Sequence, residues 1–513
     1  MKMKKYIVLF LALVLSQFLF SQSENVPAKK TQKAFAKIDF LSIQMPETNI
    51  LNEPNMGFAG IHYNFHINKN FYTGAGIYGS VTGKRGGFFT LGMNLGYKRN
   101  LSTKFYLDTG FHFGGGGGAG APDGGGAFIL PHFNLGYDFK SFSINSGWSY
   151  VNFFDGGLIK GHQINLGLEI PIDFNYTNTN ELEEVFSLEK LNSSNWKQKT
   201  KKSSLMFHLN NLKVLDAPPT EDQVIKGKTI RLAGFEFARY FSENWFSFLK
   251  VDGAYSGIRA GYMDVFLGLG YHFSFNKNRT NIIGKFGLGA GGGGGVDSDG
   301  GFLLSPDISI EQQIFKDIYI SINKGFLFTP SQIFKTSNFG IGIKYYVDIN
   351  GTSSNSKTFN KGTFKDIDLI IKQDWYFNAK RMTEPTEDMH QISLQINYNL
   401  NKNIFLAGQT SFANFGNAGA YAEGIVGLGI KTDPLLNKTI TIFTQVLGGA
   451  AGGGNISTGE GLIIKPSMGF DYKLNKTLNF RSSIGYVKSK GGELSSTYIN
   501  FGIKYNLSFL KMN

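Results

Sequence analysis

Hydrophobic and polar residues alternate with a period of two through most of the chain from Ala34 onward. Such alternation is typical of β-strands that have one apolar and one polar face. In the first part of the chain it predicts eight strands, at residues 34–45, 56–68, 70–80, 87–99, 104–114, 126–139, 142–152 and 162–176. Tight connections such as residues 68–70 alternate with longer ones such as residues 115–125. Bacterial outer-membrane barrels have this arrangement of short turns and longer loops.

A glycine-rich hairpin occurs three times in the chain, at residues 114–137, 291–310 and 448–470. Each copy joins a glycine run, a short tip with one or two acidic residues, and an apolar strand with a proline at its centre. The prolines Pro131, Pro306 and Pro466 are 175 and then 160 residues apart, and a period of that length belongs to whole domains. The pattern therefore predicts an all-β chain of three tandem repeats of about 145 residues. Each repeat is predicted to be an eight-stranded antiparallel meander that closes as a barrel.

The predicted domain organisation follows from this repeat and from the polar stretches between its copies. The three β repeats are placed at residues 34–176, 203–349 and 365–510, with polar linkers at residues 177–202 and 350–364. A short helix is predicted over residues 181–190, with Asn180 as its cap and Glu183 three residues later. The second linker is predicted to be a flexible polar tether.

The first 21 residues have the layout of a cleavable signal peptide. Lys2, Lys4 and Lys5 precede an apolar stretch that ends at Phe20, and this stretch is shorter than the roughly 20 residues that a membrane-spanning helix needs. The chain is therefore predicted to be exported.

The direction of the apolar face decides whether the repeats are soluble or embedded in lipid. In the soluble alternative Leu166, Phe501 and Ile503 would fill a dry centre. The lipid alternative is favoured because the polar face is rich in glycine, as at Gly92 and Gly96, and small residues make room in a narrow barrel. The central prolines and the glycine runs suit lipid poorly, so the hairpins are expected above the bilayer or packed closely against another sheet.

Composition narrows the choice of partners further. The chain has no cysteine, so disulfides and thiolate chemistry are excluded. Its formal net charge is +13, but the lysines are scattered through turns, apart from a group at residues 197–202. We therefore expect no nucleic-acid partner, and we expect contact with outer-membrane lipid instead.

Eight-stranded units with aromatic alternation, preceded by a signal peptide, resemble the small outer-membrane barrels of the OmpX and OmpW type. The resemblance covers almost the whole mature chain and rests on pattern, without a diagnostic motif. It implies three such barrels fused in tandem, located in the outer membrane. The triplication, the prolines and the glycine runs depart from the family pattern, so closure of each repeat by itself and closure of all strands in one ring are both open.

The glycine runs are the most specific candidate site, because strands without side chains let another backbone come very close. The interaction glycines are Gly114, Gly115, Gly116, Gly117, Gly118, Gly291, Gly292, Gly293, Gly294, Gly295, Gly452, Gly453 and Gly454. We expect the three runs to pack against one another or against one partner protein. The repeat-tip acids are Asp123, Asp297, Asp299 and Glu460, for which turn chemistry is expected more than cation binding.

Other motifs do not indicate catalysis or a cofactor. Residues 74–79 match a dinucleotide fingerprint in letters only, because no helix follows them. Four histidines, His62, His66, His112 and His132, are predicted to face the polar side of the first repeat, with His112 opposite His132. They are expected to be hydrogen-bonded lumen residues and not a metal site. No catalytic constellation is found, so neither an enzyme nor a cofactor is expected.

The sequence thus predicts a non-enzymatic outer-membrane barrel with a structural or protein-interaction role, in contact with another envelope protein or a larger membrane complex. Two alternatives stay open. One is a periplasm-facing plug or accessory subunit docked on an outer-membrane secretion translocon of the type IX kind. The other is a single barrel of 24 strands that transports solute.

Overall fold

The computed structural model describes residues 26–48, 50–178, 184–221, 223–354 and 357–513. The predicted signal peptide, residues 1–21, lies outside these described residues. Within them, no helix is long and apolar enough to cross a bilayer.

Barrel 1 is a closed ring of eight antiparallel strands, which are β2 to β9. A short strand, β1, precedes it and pairs with another, β10, that follows it. These strands are β1 Lys30–Gln32, β2 Ala34–Ile43, β3 Met56–His66, β4 Phe71–Thr82, β5 Phe89–Asn100, β6 Phe105–Gly117, β7 Phe128–Asp138, β8 Ser143–Phe153, β9 Lys160–Pro171 and β10 Phe174–Tyr176. The ring closes where β2 pairs with β9, with Ile38 opposite Leu168.

Barrel 2 consists of β12 to β19, and a short strand, β11 Val185–Ser187, precedes it. Its strands are β12 Lys201–Asp216, β13 Thr229–Tyr240, β14 Trp245–Ser256, β15 Met263–Phe275, β16 Thr280–Gly292, β17 Phe302–Phe315, β18 Ile318–Phe328 and β19 Lys335–Ile349. It closes where β12 pairs with β19, with Phe207 opposite Ile343.

Barrel 3 consists of β20 to β27 and repeats the same order. Its strands are β20 Lys361–Ala379, β21 Glu387–Asn399, β22 Ile404–Phe415, β23 Ala422–Lys431, β24 Ile440–Gly452, β25 Leu462–Lys473, β26 Leu478–Ser489 and β27 Ser495–Met512. It closes where β20 pairs with β27, with Ile371 opposite Ile503. The strands therefore close as three rings of eight and not as one ring of 24.

The connections of all three barrels differ between the two ends. One end has turns of two to four residues, at residues 67–70, 101–104, 139–142, 241–244, 276–279, 316–317, 400–403 and 474–477, together with one connection of eight residues, 432–439. These nine connections are called the tight turns. The other end has longer loops, at residues 44–55, 83–88, 118–127, 154–159, 217–228, 257–262, 293–301, 329–334, 380–386, 416–421, 453–461 and 490–494. In outer-membrane barrels the tight turns face the periplasm and the longer loops face outward.

The strands of barrel 1 follow the predicted boundaries closely, and the main difference is the eighth strand. It was predicted to continue to residue 176, but β9 ends at Pro171. Proline has no N–H to donate to the neighbouring strand. The chain resumes as β10, which pairs with β1 instead of β2.

The apolar face of the strands points outward in all three barrels. Leu166 and Phe501 are 52% and 50% exposed, whereas Asn165 beside Leu166 is 3% exposed. Gly340 and Lys344 of β19 likewise face the interior, while Ile343 is exposed. Leu166, Phe501 and Ile503 therefore do not fill a dry centre as the soluble alternative requires, and the outer surface is suited to lipid.

Glycines on the inner face make room for aromatic rings, as the sequence predicted. A Cβ on Gly96 would lie 2.1 Å from the ring of Tyr72 in barrel 1. In barrel 3 a Cβ on Gly429 would lie 2.1 Å from the ring of Phe405, and barrel 2 repeats the arrangement between its third and fourth strands. Each narrow interior thus holds a large ring over a glycine of the next strand.

The central proline interrupts the same strand pair in each barrel. Between β7 and β8 the pairing passes from Ile129 with Asn152 directly to His132 with Ser149, so that Pro131 and its neighbour are unpaired. The β17–β18 and β25–β26 pairs have matching gaps at Pro306 and Pro466. The missing N–H of proline accounts for a break at this position in all three copies.

The linkers lie at the tight-turn end and correct two predictions. The described helix, α1 Leu188–Asn192, starts later than the predicted one because Ser187 caps it and residues 185–187 pair with β20. Asn180 and Glu183 lie outside the described residues. The second linker is shorter than predicted, since β20 begins at Lys361, and its residue Thr352 donates a backbone hydrogen bond to Gln198.

The first described residues, the linkers and the end of the last strand pack together at the tight-turn end of the barrels. An apolar cluster at this end contains Phe186, Leu191, Trp196, Phe359, Phe364, Leu510 and Met512. The indole N–H of Trp196 donates to the carbonyl oxygen of Pro27 over 2.7 Å. The described linker residues therefore join the barrels through packed contacts and do not act as a loose tether.

We predict that a charge on the outer face destabilises the protein only at membrane depth. Leu166→Arg, near the middle of β9, is expected to lower the free energy of unfolding in lipid vesicles by about 2–4 kcal/mol. Leu51→Arg is the matched control, because Leu51 is 81% exposed in the loop of residues 44–55 and should change stability by less than about 0.5 kcal/mol. Guanidinium unfolding followed by tryptophan fluorescence measures both. Equal effects of the two variants would contradict a lipid-facing β9.

Candidate functional site, a glycine-rich seam between the barrels

The three glycine runs lie at the long-loop end, where neighbouring barrels meet. Each run ends the fifth strand of its barrel, and it packs against the third strand and following loop of the next barrel. We call these contacts the seam. It comprises residues 115–126 against 413–419 (barrels 1 and 3), residues 290–301 against 79–87 (barrels 2 and 1), and residues 450–461 against 253–261 (barrels 3 and 2). The structure therefore places each run against a neighbouring barrel, and not against another run.

Between barrels 1 and 3 the backbones are in direct contact. A Cβ on Gly115 would lie 2.3 Å from the carbonyl oxygen of Ala413, and a Cβ on Gly126 would lie 2.7 Å from the same oxygen. The N–H of Gly419 donates to the carbonyl oxygen of Gly124 over 3.2 Å. No side chain larger than hydrogen fits at Gly115 without displacing barrel 3.

The contact between barrels 1 and 2 repeats this close approach. The buried hydroxyl of Ser80 donates to the carbonyl oxygen of Gly300 over 2.8 Å. A Cβ on Gly87 would lie 2.1 Å from the backbone nitrogen of Gly293. Here the run of the second repeat meets glycines of the loop at residues 83–88.

Barrels 2 and 3 meet in the same way as the other two pairs. A Cβ on Gly452 would lie 2.5 Å from the backbone nitrogen of Gly261. The hydroxyl of Ser256 donates to Oε2 of Glu460 over 2.7 Å. Because the same two surfaces meet at all three contacts, the barrels form a closed threefold rosette within one chain.

An apolar cluster lies next to the seam and takes residues from all three barrels. Its buried members are Phe89 and Leu91 of barrel 1, Val265 and Ala290 of barrel 2, and Phe412 of barrel 3. These side chains are on the outer faces of their barrels, so each barrel buries part of its outer surface against the other two. The cluster is the shared core of the rosette.

The predicted tip acids do not come together in one site. Asp297 and Asp299 are exposed, and Oδ1 of Asp297 accepts the backbone N–H of Asp299. Glu460 contacts barrel 2, as described above. Asp123 is buried, and its Oδ2 accepts the backbone N–H of Gly118 over 2.7 Å. Burial raises the pKa of Asp123 to about 7, while the N–H of Gly118 opposes the rise.

A buried ion pair holds the loop of residues 118–127 in place. Nε and Nη2 of Arg85 each donate to a carboxylate oxygen of Glu53 over 2.7 Å. Nη1 of Arg85 donates to the carbonyl oxygens of Ala119 and Gly120. Arg85 therefore joins three loops of barrel 1 and fixes the turn that follows its glycine run.

The interiors of the barrels are filled by buried apolar and aromatic side chains together with paired charges. In barrel 3, Nζ of Lys465 lies 2.8 Å from Oδ2 of Asp374 and 3.0 Å from Oε2 of Glu423. In barrel 2, Nζ of Lys344 lies 2.9 Å from Oε1 of Glu311. The cavities within barrels 1 and 2 measure about 20 Å³ each, which is room for about one water molecule.

His62, His112 and His132 are hydrogen-bonded lumen residues of barrel 1. Nε2 of His62 lies 3.0 Å from Oδ1 of Asp39, and Nδ1 of His112 lies 2.6 Å from Oδ1 of Asn94. The predicted pairing of His112 with His132 is wrong by two residues, since His132 is opposite Gly110 and His112 is opposite Leu130. Among the described residues, no group of three or more histidine or carboxylate side chains could hold a metal ion.

The second half of the seam is the loop after each third strand, which neither the alternation nor the glycine runs indicate. These loops are residues 83–88, 257–262 and 416–421, and all three contain glycine. A comparison of the three repeats at this position would have found the shared glycines. It would not have found Arg85, because its partner Glu53 is in a different loop.

Comparisons with known proteins add little to these observations. No protein-family model and no curated protein matches the chain. Solved proteins of Pseudomonas aeruginosa, among them the outer membrane protein OpdK, align with most of it at low similarity. OpdQ aligns at 8% identity with a TM-score of 0.22, covering 94% of this chain and 98% of its own. OpdK aligns at 10% identity with a TM-score of 0.22 (93% and 98%), and the ferric enterobactin receptor PfeA at 8% with 0.27 (94% and 82%).

The location of the protein follows from its own surfaces. Closed rings leave no unpaired strand edge, and the outward side chains are apolar while the charges are inside. Rings of this kind are how β-strands cross the outer membrane. The chain is an outer-membrane β-barrel protein.

We predict that a side chain at the seam destabilises the rosette. Gly115→Val is expected to lower the free energy of unfolding by about 1–3 kcal/mol, because its Cβ overlaps the backbone of barrel 3. Gly284→Val is the control, since a Cβ on Gly284 would meet nothing within 4 Å. Guanidinium unfolding of the full chain in vesicles measures both variants. A Gly115→Val protein as stable as Gly284→Val would show that the seam contact does not contribute to stability.

We also predict that Asp123 makes stability depend on pH. Its pKa in the fold, about 7, lies above the roughly 3.9 of an unfolded aspartate, so the fold favours the protonated acid. This contribution is complete below the unfolded pKa, and it is lost as pH rises through about 7. Asp123→Asn keeps an acceptor for Gly118 without the charge. It should match the wild type at about pH 3, below both pKa values, and exceed its unfolding free energy at pH 8.5 by about 2–4 kcal/mol. Parallel pH profiles of the two proteins would refute this.

Proposed function

We propose that the protein is a non-enzymatic scaffold of the outer membrane. In this role three small barrels, each with the strand number of the OmpX and OmpW type, act as one rigid unit. The long loops of the unit face outward, and the packed linkers and termini face the periplasm. Both surfaces are available to another envelope protein or to a larger membrane complex.

The observation that supports this role best is the filling of the barrel interiors. Lys465 is 1% and Asp374 0% exposed, so their ion pair is sealed inside barrel 3. A water-filled pore would have to separate these two charges, and an unpaired charge in a narrow interior is costly. Barrels whose interiors are occupied by their own side chains are suited to anchoring and contact more than to passage of solute.

We infer that the accessory-subunit role is compatible with this scaffold only in an embedded form. The exposed apolar surface includes residues such as Ile164, which is 78% exposed near the outer end of β9. A subunit docked on the membrane from the periplasm would leave this surface in water. Carbonate extraction of cell envelopes separates the two forms, because it releases docked subunits and leaves embedded barrels in the pellet.

We predict that the purified full-length protein conducts no ions. After insertion into planar bilayers, it should give no current steps above the lipid baseline, because buried ion pairs occupy the interiors of barrels 2 and 3 and the cavities within barrels 1 and 2 have room for about one water molecule each. Heat-modifiable gel mobility confirms folding of the same sample, and a porin treated in parallel is the positive control. Reproducible single-channel steps, or sugar uptake in a liposome-swelling assay, would favour the transport alternative and overturn the scaffold role.

A further inference from the structure

The tight turns of the three barrels share a composition that the scaffold role does not explain. The nine turns contain nine basic and three acidic residues, whereas the twelve long loops contain eight basic and eleven acidic residues. The two ends of the rosette therefore carry opposite net charge. All nine basic side chains of the turns are exposed.

The basic side chains stand at the tips of the turns. In the turn of residues 67–70, Oδ1 of Asn68 accepts the backbone N–H groups of Asn70 and Phe71, both over 2.9 Å. The turns of residues 400–403 and 474–477 have the same geometry, with Asn401 and Asn475 as acceptors. The asparagine satisfies the turn internally, so the following lysine is not needed to hold the turn. Lys69 and Lys476 are exposed beyond it, and Nζ of the exposed Lys402 lies 4.0 Å from Oδ2 of Asp433 in the turn of residues 432–439.

An exposed large apolar side chain lies in or next to each turn, and eight of the nine turns also carry a basic residue, the exception being residues 241–244, which contain Glu243 instead. Ile67, Leu101, Phe241, Phe315, Leu436 and Leu474 are between 54% and 72% exposed. Aromatic pairs lie directly above the turns, such as Phe71 with Tyr97 and Trp245 with Tyr271, whose ring centroids are 5.1 and 5.0 Å apart. Aromatic rings of this kind mark the boundary between acyl chains and head groups.

We propose that the tight turns form a ring that binds the head groups of anionic phospholipids in the periplasmic leaflet. The apolar residue of each turn lies at the acyl boundary, and the lysine beyond it reaches the phosphate. The turns are distributed over the rims of all three barrels. A lipid leaflet can contact such a ring along its whole length, whereas a protein partner would contact one part of it. This inference rests on the proposed orientation in the outer membrane.

The experiment measures lipid selectivity of the full-length protein in vesicles with spin-labelled lipids. The wild type should prefer phosphatidylglycerol over phosphatidylcholine by about twofold or more at low salt, and 0.5 M NaCl should remove the preference because it screens exposed charges. The variant K69Q/K140Q/K402Q/K476Q should show little preference. The matched control K84Q/K226Q/K228Q/K490Q changes four lysines at the other end, and it should behave like the wild type.

Three outcomes would overturn the inference. If the turn variant kept full lipid selectivity, the turn lysines would have no role in it. If the control variant lost as much selectivity as the turn variant, the effect would depend on net charge alone. The third is binding of purified peptidoglycan that the turn variant loses while lipid selectivity is unchanged, which would assign the ring to the cell wall. The scaffold role is tested separately, since conductance or carbonate release would refute it whatever the lipid selectivity.

Discussion

The structure depends on the need to satisfy every backbone N–H and C=O group at membrane depth. Lipid offers no hydrogen-bond partners, so a sheet that faces it must close on itself. The chain meets this requirement three times, with β2 on β9, β12 on β19 and β20 on β27. Eight strands give an interior that side chains alone can fill. Closure therefore determines both the apolar exterior and the charged, densely paired interior.

Closure of the barrels also explains the glycine runs. Lipid provides no hydrophobic force that drives one barrel onto another, because acyl chains are as apolar as the outer faces. Association must then come from close packing and hydrogen bonds. Residues such as Gly115 and Gly452 let backbones meet directly, and the Ser80 hydroxyl adds a buried hydrogen bond to Gly300. The seam lies at the loop end, where backbone groups without strand partners are available for such contacts.

The fold could be predicted from the sequence because its determinants are local. Alternation with a period of two sorts the residues of each strand into an apolar and a polar face, and a shift by one residue would reverse every side chain. The seam could be predicted only in part. The glycine runs were visible, but the surface they contact is set by strand tilt and barrel order, which alternation does not encode. The Arg85–Glu53 pair and the hydrogen bond from Trp196 to Pro27 join distant segments without any periodic pattern. The bond from Thr352 to Gln198 does the same for the second linker, which was therefore predicted to be a flexible tether.

Fusion of three barrels in one chain offsets the lack of a hydrophobic driving force between barrels in lipid. The seam contacts are mainly backbone to backbone, and the apolar cluster beside them adds five buried side chains, so separate barrels would have only this small interface through which to associate. Joining them through linkers makes each contact intramolecular and raises the effective concentration of the partner surface. The described linker residues strengthen this effect, because packed segments such as α1 restrict the orientation of neighbouring barrels more than a flexible tether would. The apolar cluster at the tight-turn end and the seam at the long-loop end thus hold the rosette together at opposite ends. Each contact needs to contribute little binding free energy, because the covalent chain already holds the surfaces near one another.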